Sequence, residues 1–210
     1  GKKEGLPTVM LEAHIDEVGF VVVGVDDHGF VKVNACGGVD NRVLTAAEVT
    51  VYGDCAYAGL FCSVPPHLGG GDLPEIKDRG IDVGMTADEA NAHIPVGSPV
   101  AYRKAFHELL GTRVAATSLD DRAGVMAVLR CLELLQGEEL SVNVAVLFSV
   151  QEELGMRGAG AAAFTVAPNT SISVDVSFAS SPVEHGSATA KLGEGPMIGV
   201  SPSLNGAISR

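Results

Sequence analysis

The N-terminal part of the chain alternates short apolar runs with polar turns. Residues 7–13 (PTVMLEA) and 18–25 (VGFVVVGV) are rich in β-branched side chains, and the polar tip DDHG at residues 26–29 leads into a third run, FVKVNA. Apolar runs of this length, bounded by turn residues, are typical of strands. The pattern therefore predicts two or three adjacent strands before residue 37.

In residues 37–112, short segments of high β-propensity are separated by glycine- and proline-rich loops. The pieces include AEVTVYG, AGLFCSV and SPVAYRKAF, and the longest loop reads PPHLGGGDLPE. Such a pattern is typical of a small, loop-rich β domain. We therefore predict a small β-barrel-like domain at residues 37–112, inserted between the two parts of a larger domain, residues 1–36 and 113–210.

The hydrophobic period becomes helical at residues 118–137, where Gly137 supplies a stop signal. An apolar strand at residues 142–148, a helix at 156–164 and a further strand at 171–176 follow. Strands that alternate with helices in this way favour parallel pairing. The predicted fold class is α/β, with a mixed, largely parallel sheet flanked by helices and the inserted β domain.

The composition is that of a folded chain without a basic surface. Of the 210 residues 46% are hydrophobic, the net charge is −12 and the pI is about 4.8. The scattered Lys and Arg argue against nucleic acid or membrane as partners, and no apolar run approaches the ~18 residues of a membrane span. The four cysteines lack metal-binding spacing and are predicted to be small buried thiols, which favours a cytoplasmic location.

Polar side chains stand where the apolar strands end and where the main helix begins. In open α/β sheets ligands bind beyond the carboxyl ends of the strands, so these side chains are the first candidates for a site. His14 and Asp16 are two residues apart and are expected to share a face. The candidates are His14, Asp16, Asp120, Asp121, Glu152, Glu153 and Asp175.

Each candidate also has an ordinary structural explanation. Asp120 suits the N-cap of the helix, and Glu152 and Glu153 suit a helix N-terminus. His14 could be a core histidine and Asp175 a solvated strand end. Together, however, several carboxylates at one sheet edge would repel each other unless a cation were present. Imidazole and carboxylate ligands suit zinc, with cobalt or manganese as alternatives, and a bridging aspartate would suit two ions roughly 3.5–4 Å apart.

Four segments, AHIDEVGF, SLDDRAG, VQEELGMRGA and SVDV, resemble in order and spacing the signature segments of the tetrahedral aminopeptidase family. That family includes glutamyl and deblocking aminopeptidases and some proteins labelled endoglucanase. VPPHL at residues 64–68, IDVG at 81–84 and KLGEGP at 191–196 are also similar to the family. The resemblance extends over nearly the whole chain.

The resemblance implies a dinuclear metal centre. Asp120 would bridge two divalent ions, most simply zinc, while His14 and Asp175 complete one site and Glu153 belongs to the other. The family removes N-terminal residues from peptides with metal-activated water. It assembles as a hollow tetrahedral dodecamer, in which the inserted β domain makes subunit contacts. Peptide substrates and a homo-oligomer are therefore the expected partners.

The remaining acids receive roles in proton transfer and support. Glu152 would be the general base that carries a proton from water to the leaving amine, and Asp16 would orient the imidazole of His14. Asp121 would support the loop geometry rather than bind metal. His67, in PPHL, is given a structural role.

The chain departs from the family pattern at both ends. The resemblance implies one more histidine for the second site, downstream of KLGEGP and beyond Arg210, and His185 is not expected to replace it. A helical segment that the family places before GKKEG is also missing, and the chain opens without Met. We expect either a fragment or a short relative, which binds at most one metal ion tightly and has weak activity or none.

Three alternatives stay open. A related amidohydrolase or deacylase would use the same ligands on another substrate. A glycosidase would need two carboxyl groups without metals, which the combination of histidine and acids argues against. A non-catalytic assembly subunit would keep the fold, and the missing histidine favours that interpretation.

Overall fold

The computed structural model describes residues 3–68, 73–181, 190–200 and 204. Within these residues the chain forms strands, helices and a few short 3-10 turns. The elements are, in chain order, β1 (Thr8–His14), β2 (Gly19–Val25), β3 (Val31–Cys36), β4 (Glu48–Tyr52), β5 (Ala56–Phe61), β6 (Ile81–Asp82), α1 (Ala87–His93), β7 (Pro99–Tyr102), β8 (Phe106–Glu108), β9 (Val114–Ala116), α2 (Leu119–Leu134), β10 (Asn143–Ser149), α3 (Arg157–Val166) and β11 (Thr170–Ser173).

Strand β1 is the centre of a three-stranded parallel sheet in the order β10-β1-β11. Helix α2 packs against β1, and α3 packs against β10. The register places His14 beside Ser149, so β1 and β10 end at the same level. Because all three strands run in one direction, the residues that follow them meet at one edge of the sheet. This confirms the predicted α/β class with parallel pairing.

The second unit is a closed antiparallel barrel in the order β2-β3-β6-β5-β4-β7. Its interior is filled by aliphatic and aromatic side chains, with the Phe20 and Phe61 rings 5.0 Å apart between centroids. Burial of this apolar set is the main contribution to barrel stability. The fully buried guanidinium of Arg79 is held by Asn41 and Thr45 at the edge of this unit.

The predicted boundary at residue 37 is wrong, because it cuts through the barrel. Strands β2 and β3 pair with each other. On its other side β2 pairs with β7, and β3 pairs with β6. The barrel therefore begins at Gly19, and the first part of the larger unit is little more than β1. The local pattern of an apolar strand does not tell which sheet it joins. Beyond Tyr102 the chain leaves the barrel through the β8–β9 hairpin.

The cysteines are unpaired, but the prediction that they are buried is wrong. Cys55 is exposed, and Cys36, Cys62 and Cys131 are partly exposed. Across the described part of the chain, no helix combines the length and the apolar character needed to cross a bilayer.

Candidate metal centre

His14, the last residue of β1, is buried with 2% of its surface exposed. Its Nδ1 atom lies 3.1 Å from the backbone oxygen of Asp16, and its Nε2 atom lies 3.0 Å from Oδ1 of Asp120. A carbonyl oxygen only accepts hydrogen bonds, so Nδ1 carries the proton. Nε2 then directs its lone pair at a carboxylate oxygen, a contact that is favourable only with a proton or a metal ion between the two atoms.

His14, Asp120 and Asp175 form a three-ligand cluster. One ligand atom from each residue lies within 4.8 Å of the other two, and Nε2 of His14 is 3.9 Å from Oδ1 of Asp175. Asp175 follows β11, which pairs with β1, and Asp120 opens α2, which packs on β1. One imidazole nitrogen with two carboxylate oxygens is a donor set that fits a divalent transition metal such as zinc.

The two neighbouring acids at the start of α2 have different surroundings. The side chain of Asp120 is 56% exposed and faces the cluster, whereas Asp121 is fully buried. Asp121 accepts hydrogen bonds from the backbone N–H of Gly124 at 3.0 Å and of His14 at 3.3 Å. Asp121 thus ties the first turn of α2 to the end of β1. The backbone at both acids departs from helical geometry, and Ser118 before them has a φ of 62°.

Asp16 holds the turn that follows β10. One carboxylate oxygen of Asp16 accepts a hydrogen bond from the N–H of Glu152 at 3.1 Å, and the other accepts from the N–H of Glu153 at 3.3 Å. The closest approach of this carboxylate to Nδ1 of His14 is 3.6 Å, longer than the contact made by the Asp16 carbonyl. The imidazole is therefore oriented by the backbone of Asp16, while the side chain positions the two glutamates.

Glu152 and Glu153 both carry charge next to the cluster without belonging to it. An oxygen of Glu152 is 4.0 Å from Nε2 of His14. Glu153 is not a member of the three-ligand cluster. Burial raises the pKa of Glu152, His14 opposes this, and the Asp175 charge raises the pKa further. Burial, followed by the Asp120 charge, also raises the pKa of Glu153.

The negative charge of the surrounding carboxylates also affects the pKa of His14. Burial on its own would lower the pKa of His14, but the surrounding carboxylates, Asp175 foremost, raise it above its ordinary value. Burial raises the pKa of Asp121 as well. Several carboxyl groups therefore share one histidine, which is the electrostatic situation that a bound cation relieves.

Comparison with known proteins agrees with this geometry. The sequence profile of the M42 glutamyl aminopeptidase family matches residues 1–206. The chain belongs to this family. A lysyl aminopeptidase from Pyrococcus furiosus is 32% identical over 215 residues, which cover 97% of this chain and 60% of that protein.

Two solved peptidase structures superimpose on the chain. An aminopeptidase from the archaeon Desulfurococcus kamchatkensis gives a TM-score of 0.85 at 33% identity, covering 93% of this chain and 55% of that one. The TET1 peptidase of Pyrococcus horikoshii gives 0.81 at 32% identity, covering 92% and 59%. The chain thus spans less than two thirds of the length of these relatives.

The sequence did not predict the hydrogen bonds that Glu12 and Glu17 make near the candidate metal centre. Glu12, two residues before His14, is buried in β1, and its Oε1 accepts a 2.6 Å hydrogen bond from the hydroxyl of Ser149. A charged residue within an apolar strand, on the face of His14, was the available signal. Glu17 accepts hydrogen bonds from Lys104 and Ser118, which joins the two segments that connect barrel and sheet.

His67 is not a member of the cluster formed by the described residues. His67 lies on an exposed 3-10 turn, Pro66–Leu68, in the barrel region. His185 lies outside the described residues.

Proposed function

We propose that this protein is a metal-dependent aminopeptidase that hydrolyses N-terminal residues from peptides. The observation that supports this most strongly is the His14, Asp120 and Asp175 cluster, with the carboxylate of Glu152 4.0 Å from its histidine. Membership of the M42 family supports the same reaction class. The relative whose match covers 97% of this chain is named a lysyl aminopeptidase.

The proposed ligands divide between two ions. His14, Asp120 and Asp175 would hold the first ion, and Asp120 with Glu153 would contribute to the second. Zinc is the proposed metal, with cobalt or manganese as alternatives that the same donors accept. Asp120 and Glu153 are two protein ligands, fewer than a zinc ion usually has, so the second position needs further ligands.

Bound divalent ions would supply Lewis acidity, which acidifies water and polarises the scissile carbonyl. Glu152 would take the proton from the attacking water and return it to the leaving amine. Burial first raises the pKa of Glu152, which makes its carboxylate a better proton acceptor than that of an exposed glutamate. Asp16 would keep Glu152 in place through the backbone hydrogen bond at 3.1 Å.

We further propose peptides as substrates, the cytoplasm as the compartment and a homo-oligomer as the assembly. The Pyrococcus horikoshii TET1 peptidase is described as assembling into a tetrahedron or an octahedral shell. The barrel at residues 19–102 is the part of the fold proposed for subunit contacts, and a dodecamer is the proposed state. The free thiols support a reducing compartment.

The test is a Glu152→Gln variant assayed with amino-acid anilides beside the wild-type protein. The variant should retain bound zinc and lose turnover by about 10²–10⁴-fold, the usual contribution of a general base. An exposed acid remote from the cluster, Asp27, supplies the control Asp27→Asn, which should retain full activity. Full activity of Glu152→Gln would refute the general-base assignment, and chelator-insensitive turnover would refute the metal dependence.

A further inference from the structure

The end of strand β3 touches the turn that carries the two glutamates. Gly37, the residue after β3, has a φ of +91°. A Cβ atom at this position would lie 2.9 Å from Cγ1 of Val18 and 3.1 Å from Cβ of Glu153. Contacts between carbon atoms are normally about 3.5–4.0 Å, so the barrel backbone approaches Glu153 at a distance that only glycine allows.

The turn is therefore held from two sides by two different sheets. Asp16, which follows β1 of the parallel sheet, accepts hydrogen bonds from the N–H groups of Glu152 and Glu153. Gly37, which follows β3 of the barrel, packs against the Cβ side of Glu153 and faces its carbonyl oxygen, 3.5 Å from the same constructed Cβ. A shift of either partner must move the glutamates.

We propose that Gly37 is a positioning residue for Glu153, through which the barrel fixes the second metal position of the centre. This rests on the proposed metal-dependent function. The barrel is then part of the architecture of the metal centre as well as the unit proposed for subunit contacts. The adjacent Gly38 has open space around it and no left-handed φ, so it carries no comparable constraint.

Two effects of a side chain at residue 37 have to be separated. Alanine there would be strained by the positive φ wherever it occurred, and its Cβ would also press against the side chain of Val18 and against Glu153. The Cβ of Glu153 is fixed to the backbone, so relief requires the turn itself to move. Gly97, on the barrel turn before β7, has a φ of +92° and nothing within 4 Å of a constructed Cβ. Gly97→Ala therefore reproduces the strain without the contact.

The first measurement is backbone hydrogen exchange of residues 150–156 in metal-free wild-type, Gly37→Ala, Gly97→Ala and Gly38→Ala proteins. Gly37→Ala should speed exchange in this segment, because displacement of the turn weakens the hydrogen bonds to Asp16. Gly97→Ala should lower thermal stability through the strain alone and leave exchange in this segment as in the wild type. Gly38→Ala should change neither quantity. Equal exchange in Gly37→Ala and Gly97→Ala would overturn the proposal.

The second measurement is the affinity of the same proteins for the second, weaker zinc ion, to which Glu153 would contribute, by competition with a chelating dye at more than one zinc ion per chain. Loss of a supporting contact typically weakens metal binding by about 10–100-fold, and we expect a loss of this order in Gly37→Ala alone. Zinc affinity that is equal in Gly37→Ala and Gly97→Ala would refute the positioning role. A wild-type protein that binds no zinc would refute the proposed function itself, while faster exchange in Gly37→Ala would still support the positioning of the turn.

Discussion

A carboxylate oxygen of Asp16 accepts a hydrogen bond from the backbone N–H of Glu152 at 3.1 Å. The second oxygen does the same for the next residue, so one side chain fixes the start of the turn after β10. The resemblance to tetrahedral aminopeptidases implied a different task, in which this carboxylate orients the imidazole of His14. In the structure the carbonyl of Asp16 performs that task.

Replacement of Asp16 by Asn should therefore disturb the glutamates more than the histidine. Asn offers one acceptor oxygen, so one of the two N–H groups would face an NH₂ group. We expect the affinity for the second zinc ion, to which Glu153 would contribute, to fall by about 10–100-fold, as is usual for supporting contacts of metal centres. Dye competition measures this, with the exposed Asp27→Asn as control. Unchanged affinity in Asp16→Asn would show that the turn does not depend on this carboxylate.

Gly124 should not tolerate a side chain. A Cβ at this position would lie 2.4 Å from Oδ1 of Asp121, which is fully buried and tied to the N–H of His14. Because the carboxylate has no free space, we expect Gly124→Ala to lower the free energy of unfolding by about 1–3 kcal/mol. Denaturant unfolding measures the change.

Gly160, in helix α3, is the matched control for this substitution. Nothing lies within 4 Å of a Cβ constructed there. Gly160→Ala should stabilise the protein by about 0.4–1 kcal/mol, because alanine reduces the entropy of the unfolded chain. Equal effects of the two substitutions would contradict the packing described around Asp121.

The buried pair of Glu12 and Ser149 should be energetically coupled. The hydroxyl of Ser149 donates to Oε1 of Glu12, so Ser149→Ala leaves a buried carboxylate without this donor. We expect a loss of about 1–3 kcal/mol in the free energy of unfolding. In a Glu12→Leu background the same substitution should be nearly neutral. A double-mutant cycle measures the coupling, and additive effects would show that the hydrogen bond contributes little.

The metal-free protein should lose stability as the pH rises. Burial first, then neighbouring carboxylates, raise the pKa of Glu152 and Glu153, and carboxylates raise the pKa of His14 against the effect of burial. At a pH between the ordinary and the raised pKa, the folded chain therefore holds protons that the unfolded chain has released. The free energy of unfolding falls as the pH rises through that range. The loss begins above pH 4.5, the ordinary pKa of Glu, and continues above 6.5, that of His.

Thermal unfolding across this pH window measures the effect. The exposed Asp40–Arg42 pair does not obscure it, since the Arg42 guanidinium holds the pKa of Asp40 at about 2, below the window. Asp175→Asn should make the decline shallower, because it removes the foremost charge acting on His14. Saturating zinc should abolish the decline. A metal-free Tm that rises through the window would contradict the electrostatic description of the site.

Sequence patterns predicted the positions of strands and helices better than they predicted which strands pair. The helical period around Val128 and the alternation of β10, α3 and β11, which predicted parallel pairing, lie within short stretches of sequence and were anticipated. The assignment of β2 and β3 to the barrel depends on pairing with β7 and β6, which are distant in sequence. No local pattern contains that information, and the boundary was misplaced for this reason.

In the candidate metal centre, too, residues within sequence motifs were predicted, whereas contacts between distant segments were not. The order of the motifs pointed to His14, Asp120 and Asp175, which the structure brings within 4.8 Å of one another. The contact of Gly37 with Glu153 and the acceptor role of Asp16 were not foreseen, since both join segments more than a hundred residues apart. These contacts form only when the folded chain brings the turn after β10 next to the end of β3 and next to the segment after β1.

The most direct measurement is anomalous X-ray scattering at the zinc edge from crystals of the zinc-loaded protein. We predict a strong peak bonded to Nε2 of His14 and to carboxylate oxygens of Asp120 and Asp175, at about 2.0–2.2 Å from each ligand atom. A peak elsewhere, or none between these three side chains at saturating zinc, would contradict the assignment of the metal centre.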